Sequence, residues 1–166
     1  HDARDIYAFL QSLKPVALVN RNNELNWYVP GRWVMPLWNR LFAPWAYAPV
    51  ADNANPQWAR GAYLVRHLGH CGECHTARNL FGGLQTNKQL AGSPKDSTGR
   101  GAPNITQDKT NGIGGWAEDE LLFFFELGML PDGDFVGGDM VTVVDDNTAL
   151  LTDADRVGCG VVGFVM

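Results

Sequence analysis

Residues 71–75 read Cys-Gly-Glu-Cys-His, and this C-x-x-C-H run constrains the chain more than any other feature. Two cysteines at this spacing can each form a thioether with a vinyl group of haem, and the histidine that follows can coordinate the iron. An iron held in this way does redox chemistry that its axial ligands and its burial largely set. The motif therefore predicts one covalently bound haem c, attached at Cys71 and Cys74, with His75 as the fifth iron ligand.

Two other chemistries use a C-x-x-C pair. Structural zinc needs four Cys or His ligands, usually as two spaced pairs. Here only the distant Cys159 remains, and recruiting His67 and His70 would crowd four ligands into one short stretch. A thioredoxin-like dithiol would need a strand before the motif, and no strand pattern is visible. Zinc and dithiol chemistry are therefore minor alternatives to haem.

The chain has 166 residues and a net charge of −5 without a basic patch. This argues against nucleic acid, whose binding depends on clustered Lys and Arg. No apolar run is long enough to cross a bilayer, and residues 1–5 do not resemble a signal peptide. Because haem c is attached outside the bacterial cytoplasm, we expect a periplasmic mature form or, preferably, a fragment of one. Peripheral association with the cytoplasmic membrane is compatible with this location.

The first 54 residues divide into a helix and a connector. Ile6, Phe9, Leu10 and Leu13 recur at helical spacing within residues 3–13, and Pro15 stops the pattern. Residues 27–50 interleave aromatic residues with prolines, which predicts an extended segment. Packing against a neighbouring domain is its favoured role, and docking of a partner protein or the membrane interface is the alternative.

The remainder predicts a mostly helical domain with long loops. Asn55 and Pro56 suit the start of a helix, and Glu118 to Glu120 suit the start of another that Gly128 and Pro131 end. We also expect a turn at 132–133, a short helix over 140–144, and a last helix opened by a capping box of Thr152 and Asp155. No convincing strand pattern appears, so the fold class predicted is all-α.

A sixth ligand should oppose His75 across the haem. The candidates downstream are Met129, Met140 and Met166. Met129 ends an apolar helix, where core packing is the usual role of methionine. Met140 follows Gly137-Gly138-Asp139, and glycines allow close approach of backbone to a flat ligand. Met140 is therefore preferred over Met129, and a His/Met pair favours a high reduction potential.

Other residues are candidates for the surroundings of the haem. A ligating histidine usually donates its second ring N–H to a fixed acceptor, and the segment of Pro103, Asn104 and Ile105 offers a rigid carbonyl. Arg78 suits a haem propionate, although a solvated surface arginine is equally compatible. Trp116 either closes the edge of the pocket or packs in the core.

Several stretches, in the same order along residues 58–156, resemble a known family. They read RGAYLV at 60–65, HCGECHTARN at 70–79, APNITQDKTNGIGG at 102–115, PDGDFVGGDM at 131–140 and LTDADR at 151–156. The chain resembles the multihaem cytochrome c subunits of periplasmic dehydrogenases that oxidise alcohols, aldehydes, gluconate and related sugar acids. The resemblance implies a class I cytochrome c fold with His75 and Met140 as axial ligands, and Pro103 as the proline whose carbonyl supports His75.

The same resemblance implies a domain organisation and a set of partners. Residues 1–15 would be the last helix of an upstream haem domain, or alternatively an N-terminal extension. Residues 16–54 would be an aromatic and proline-rich linker, and 55–166 the haem domain. The dehydrogenase subunit that supplies electrons would be of the flavin, quinone-cofactor or molybdenum type. Electrons would leave to another haem domain or cytochrome, to quinone, or to a terminal oxidase of the respiratory chain.

Two stretches depart from the family pattern. Ala77 replaces a proline that is common before the arginine of the motif. After Arg156 the family continues as an amphipathic helix, whereas Gly158, Gly160 and Gly163 interrupt that pattern here. Residues 157–166 are therefore either a real divergence from the family or an error in the sequence, and we assign no function to Cys159.

The function expected is electron transfer by a carrier protein without substrate chemistry of its own. The rival is a haem peroxidase-like or other catalytic haem module. It would need an open sixth position and distal acid–base residues, but His67 and His70 precede the motif so closely that they stay on the proximal side.

Overall fold

The structure is a computed structural model, and it describes residues 2–21, 24, 31–42, 55–94 and 101–165. In these ranges the chain forms helices joined by turns and isolated β-bridges, and no strand is present. The prediction of an all-α chain is confirmed at this level. The helices are α1 (Asp2–Ser12), α2 (Met35–Phe42), α3 (Pro56–Tyr63), α4 (Cys71–His75), α5 (Glu118–Leu127), α6 (Asp139–Asp146) and α7 (Asp153–Val165).

Short turns of other helix types separate some of these helices. Leu64–Leu68 forms a π-helical turn that continues α3. Three 3₁₀ turns lie at Arg32–Val34, Thr86–Lys88 and Thr148–Leu150. None of the helices in the described part of the chain has the length and apolar character that a membrane span requires.

The chain divides into two compact units, residues 1–35 and 36–166. In the first unit, α1 confirms the helix predicted over residues 3–13. Its apolar stripe is exposed within that unit: Ile6, Phe9, Leu10 and Leu13 keep between 50% and 62% of their surface. The roles assigned to residues 1–15 and 16–54 stay predictions.

The prediction of an extended connector over residues 27–50 is wrong for residues 32–42. Residues 32–42 are helical, because Pro36 occupies the first turn of α2, where its missing N–H is not needed. Trp38 and Phe42 then lie one turn apart, with ring centroids separated by 5.6 Å. Residues 25–30 and 43–54, which carry the rest of that prediction, lie outside the described residues.

The helix boundaries predicted in the second unit are largely confirmed. Asn55 caps α3 by accepting a hydrogen bond from the Gln57 N–H at 2.9 Å. Gly128 ends α5 with a φ of +72°, a left-handed conformation that favours glycine. The short helix expected at 140–144 is α6.

The predicted last helix is present, and the glycines that interrupt the family pattern after Arg156 do not interrupt the helix. The backbone of α7 is helical through Gly158 and Gly160 as far as Val165. Gly158 is buried against α3, where an added Cβ would lie 3.1 Å from the Gln57 oxygen and 3.5 Å from the Gly61 Cα. The loss of helix propensity at Gly158 is therefore accompanied by a close approach of the two helices, in which an added Cβ would be tighter than most real Cβ contacts.

An ion pair fixes the same crossing. Arg60 of α3 donates two hydrogen bonds to the Asp155 carboxylate of α7, at 2.8 and 3.1 Å. These bonds hold the pKa of Asp155 below its usual range. The Asp155 N–H donates to Thr152 Oγ1 at 3.3 Å, so one half of the predicted capping box is present, while the Asp155 carboxylate binds Arg60.

The core of this unit forms between α3, its π-helical turn and α7. Cys159 is 8% exposed and packs within it, and burial raises the pKa of its thiol to about 12. Cys71 packs against the same cluster, which places the attachment motif directly on the core. The buried members are Ala62, Leu64, Val65, Leu90 and Cys159.

Candidate haem-attachment site

The C-x-x-C-H motif occupies α4, a helix of little more than one turn. Residues three apart on a helix lie on one face, so Cys71 and Cys74 share a side. His70 precedes them in a left-handed conformation with a φ of +50°. Cys71 is half-buried and Cys74 is exposed, and both are free thiols. Burial raises the pKa of Cys71, so this thiol is protonated at neutral pH.

His75 is 8% exposed, and its side chain is held in one orientation. Its Nδ1 lies 2.8 Å from the carbonyl oxygen of Pro103. A carbonyl only accepts hydrogen bonds, so Nδ1 carries the proton in this bond. Burial lowers the pKa of His75, which favours the neutral ring. Nε2 then keeps its lone pair, and it has no hydrogen-bond partner among the described residues.

These donors fit a c-type haem. Two thiols on one face can form thioethers, and the neutral imidazole next to them presents Nε2 as a metal ligand. A zinc site fits less well: in the part of the chain that the structure describes, no group of three or more His, Cys, Asp or Glu side chains could hold a metal ion. His67 packs against Tyr63 with the two rings tilted by 42° and their centroids 5.6 Å apart.

Asn104 and Ile105, which follow Pro103, both contribute to holding this loop. The Asn104 side chain accepts hydrogen bonds from the N–H of Thr106 at 2.8 Å and from its hydroxyl at 2.7 Å. Ile105 packs on the core, and its N–H donates to the Leu90 oxygen at 2.9 Å. The structure therefore brings these two residues together with Pro103, as bracing of the loop that faces His75.

The other predicted site residues lie in different surroundings. Arg78 pairs with the Glu73 carboxylate and donates to the Gly82 oxygen at 2.8 Å. The half-buried Trp116 packs edge-on against Phe124, with the ring centroids 5.6 Å apart. Met140 is half-buried in the first turn of α6. Within the described ranges, neither Trp116 nor Met140 is hydrogen-bonded to α4, so their haem contacts stay predictions.

A contact between α2 and the loop after the motif was not predicted from the sequence. Trp38 Nε1 donates to the Phe81 oxygen at 2.8 Å, and the rings of Phe42 and Phe81 stack at 5.8 Å. Asn79 closes the same loop by accepting from the N–H groups of Phe81 and Gly83. The α2 helix thus anchors residues 79–83, and the pairing of Trp38 with Phe42 at helical spacing was the available signal.

Gly83 provides a direct test of this contact. It is buried, and an added Cβ would lie 2.8 Å from the Phe42 Cβ. We expect Gly83→Ala to lower the free energy of unfolding by about 1–3 kcal/mol, the usual cost of overpacking, measured by urea denaturation. Gly137→Ala is the matched control, because no atom of the described residues lies within 4 Å of its added Cβ. If Phe42→Ala does not relieve part of the Gly83→Ala cost in the double variant, the contact is not the cause.

Comparison with known proteins agrees with this site. No protein-family model matches the chain. It is 37% identical to the cytochrome c subunit of the quinone-type alcohol dehydrogenase of Gluconobacter oxydans, over 93% of this chain and 34% of that protein. The chain is homologous to dehydrogenase cytochrome c subunits. Others similar to it are the gluconate 2-dehydrogenase cytochrome c subunit of Pantoea cypripedii and a dihaem cytochrome c-type protein of Cereibacter sphaeroides.

These matches cover most of this chain but only part of each relative. The Pantoea subunit is 35% identical and the Cereibacter protein 38%, each over 93% of this chain. The chain spans 36% and 50% of their respective lengths. The resemblance predicted from the motifs is confirmed. The relatives' names also agree with the prediction of an electron-carrier protein instead of a catalytic subunit.

Proposed function

We propose that this chain transfers electrons through one haem c bound covalently at Cys71 and Cys74, with His75 and Met140 as axial ligands, in a class I cytochrome c fold. The observation that carries the proposal is the state of His75: a buried neutral ring, directly after the two cysteines, whose Nδ1–H is held by the Pro103 carbonyl. Homology to cytochrome c subunits supports the haem itself.

When bound, a c-type haem supplies a metal centre that accepts and releases one electron. The protein's own residues prepare that site. Cys71 and Cys74 hold the group, and the Pro103 carbonyl fixes both the tautomer and the direction of the His75 ring. The core that packs behind Cys71 excludes water from one side of α4. This arrangement holds a ligand in place and requires no proton transfer, which suits a carrier.

The sixth ligand is tested by substitution. We expect Met140→Ala to abolish the absorption band of methionine-to-iron coordination in the oxidised protein and to lower the reduction potential, because loss of the thioether removes a ligand that favours the reduced iron. Met129→Ala is the control and should keep the band. Retention of the band in Met140→Ala, or its loss only in Met129→Ala, would refute the assignment.

The same spectra test the catalytic alternative. A carrier with both axial positions filled binds cyanide slowly and turns over peroxide poorly, because a ligand must leave first. Rapid peroxide turnover by the unsubstituted protein would favour a peroxidase-like module instead.

In the cell, we propose that the chain is part of a periplasmic carrier subunit. The names of the relatives, which include alcohol, gluconate and fructose dehydrogenases, support a dehydrogenase as the electron donor. Its cofactor would be a flavin, a quinone cofactor or molybdenum. The acceptor would be another cytochrome or haem domain, quinone, or a terminal oxidase, with peripheral attachment to the membrane. Purification of the native subunit with its partners, together with its intact mass and haem count, tests this assignment.

A further inference from the structure

Two segments hold His75, one at its backbone and one at its ring. The Gly92 N–H donates to the His75 carbonyl oxygen at 2.8 Å, and the Pro103 carbonyl accepts from His75 Nδ1 at the same distance. The orientation of the ring therefore depends on how the segment of Gly92 is placed relative to the segment of Pro103.

Ser93 and Ala102 join these two segments by a reciprocal pair of hydrogen bonds. The Ser93 N–H donates to the Ala102 oxygen at 2.9 Å, and the Ala102 N–H donates to Ser93 Oγ at 3.1 Å. Proline has no N–H, so the amide of Ala102 is the nearest backbone donor that can anchor the chain before Pro103. The Ser93 hydroxyl is what anchors it.

Gly92 allows the two segments to approach closely enough for this pairing. Its φ is +88°, and an added Cβ would lie 2.9 Å from the Ala102 oxygen and 3.0 Å from the Asn104 nitrogen. The backbone of Gly92 therefore packs directly on the backbone around Pro103. On the Ala102 side of Pro103, the Ser93 hydroxyl therefore adds a side-chain hydrogen bond to these backbone contacts, whereas Asn104 and Ile105 brace the loop on the other side.

We propose that Ser93 is a positioning residue for His75: its hydroxyl fixes Ala102, which aims the Pro103 carbonyl at Nδ1. This inference rests on the proposed function. The bond from a ligating histidine to its second partner makes the ring a stronger electron donor, and the electron donation of axial ligands is one of the terms that set a haem reduction potential. Ser93 thereby acts on the potential without contacting His75.

The test compares three variants of the haem-loaded protein. We expect Ser93→Ala to shift the reduction potential upward, because a looser Nδ1–H···O bond donates less electron density to oxidised iron. Ser93→Thr keeps the hydroxyl and should restore the unsubstituted value. Thr152→Ala is the matched control: it removes a hydroxyl that also accepts a backbone N–H, at the start of α7, and it should lower stability without moving the potential.

A measurement on the unsubstituted protein keeps the inference testable if Ser93→Ala does not fold. The Ala102 amide should exchange its hydrogen slowly even though the residue is only half-buried, because its N–H donates a hydrogen bond to Ser93 Oγ. Rapid exchange there, or a potential in Ser93→Ala equal to that of the unsubstituted protein, would overturn the role of Ser93 and leave the haem assignment intact. If the unsubstituted protein binds no covalent haem, the proposed function fails first.

Discussion

Replacing Cys71 and Cys74 together with alanine is expected to abolish covalent haem binding. The two sulfur atoms are the only covalent links that the motif provides. Without them, a haem would be held by coordination to His75 and by packing alone. Acidified organic solvent should then extract the haem from any pigmented variant, whereas it should leave the haem on the unsubstituted protein. Haem staining after denaturing electrophoresis gives the same comparison in a second assay, with loss of the stain expected for the double variant.

The control for this prediction is Cys159→Ala. Cys159 is a third free thiol, 8% exposed, and lies in the core outside the motif. Its removal should keep the haem stain in full and cost about 1 kcal/mol of stability, in line with deletion of one small buried group. Covalent haem that persists in the double variant, or disappears in Cys159→Ala, would contradict attachment at Cys71 and Cys74.

The features predicted correctly from the sequence depend on neighbours along the chain. Asn55 caps α3 through a bond to Gln57, two residues away, and Gly128 ends α5 through its own backbone conformation. The motif of α4 is likewise contained in five consecutive residues. Patterns of this kind carry their physical cause within a few residues, so the sequence alone suffices to find them.

The features that were missed depend on residues that are distant in sequence. The anchoring of Phe81 by Trp38 spans 43 residues, and no local pattern specifies which loop an aromatic pair will contact. Ser93 is a similar case, since its role depends on a hydrogen bond with Ala102, 9 residues further along the chain. The extended connector was predicted from its prolines, although Pro36 at the start of α2 does not oppose a helix.

A judgement from local helix propensity failed most clearly at Gly158. The same residue gives the second prediction with a large expected effect on stability. We expect Gly158→Leu to lower the free energy of unfolding by about 3 kcal/mol, at the upper end of the usual cost of overpacking. Leucine favours helix, so α7 itself would gain stability. The loss comes from α3, because even a Cβ at this position would lie 3.1 Å from the Gln57 oxygen and 3.4 Å from the Gly61 nitrogen.

Gly160→Ala separates crowding from helix propensity on the same helix. Among the described residues, an added Cβ there meets Leu121 Cδ1 alone, at 3.6 Å, which is an ordinary packing distance. Alanine should therefore raise the free energy of unfolding by up to about 1 kcal/mol, so urea denaturation should move the two variants in opposite directions. If Gly158→Leu were as stable as the unsubstituted protein, α7 would not approach α3 at this residue, and the helical course of the chain after Arg156 would lose its physical explanation.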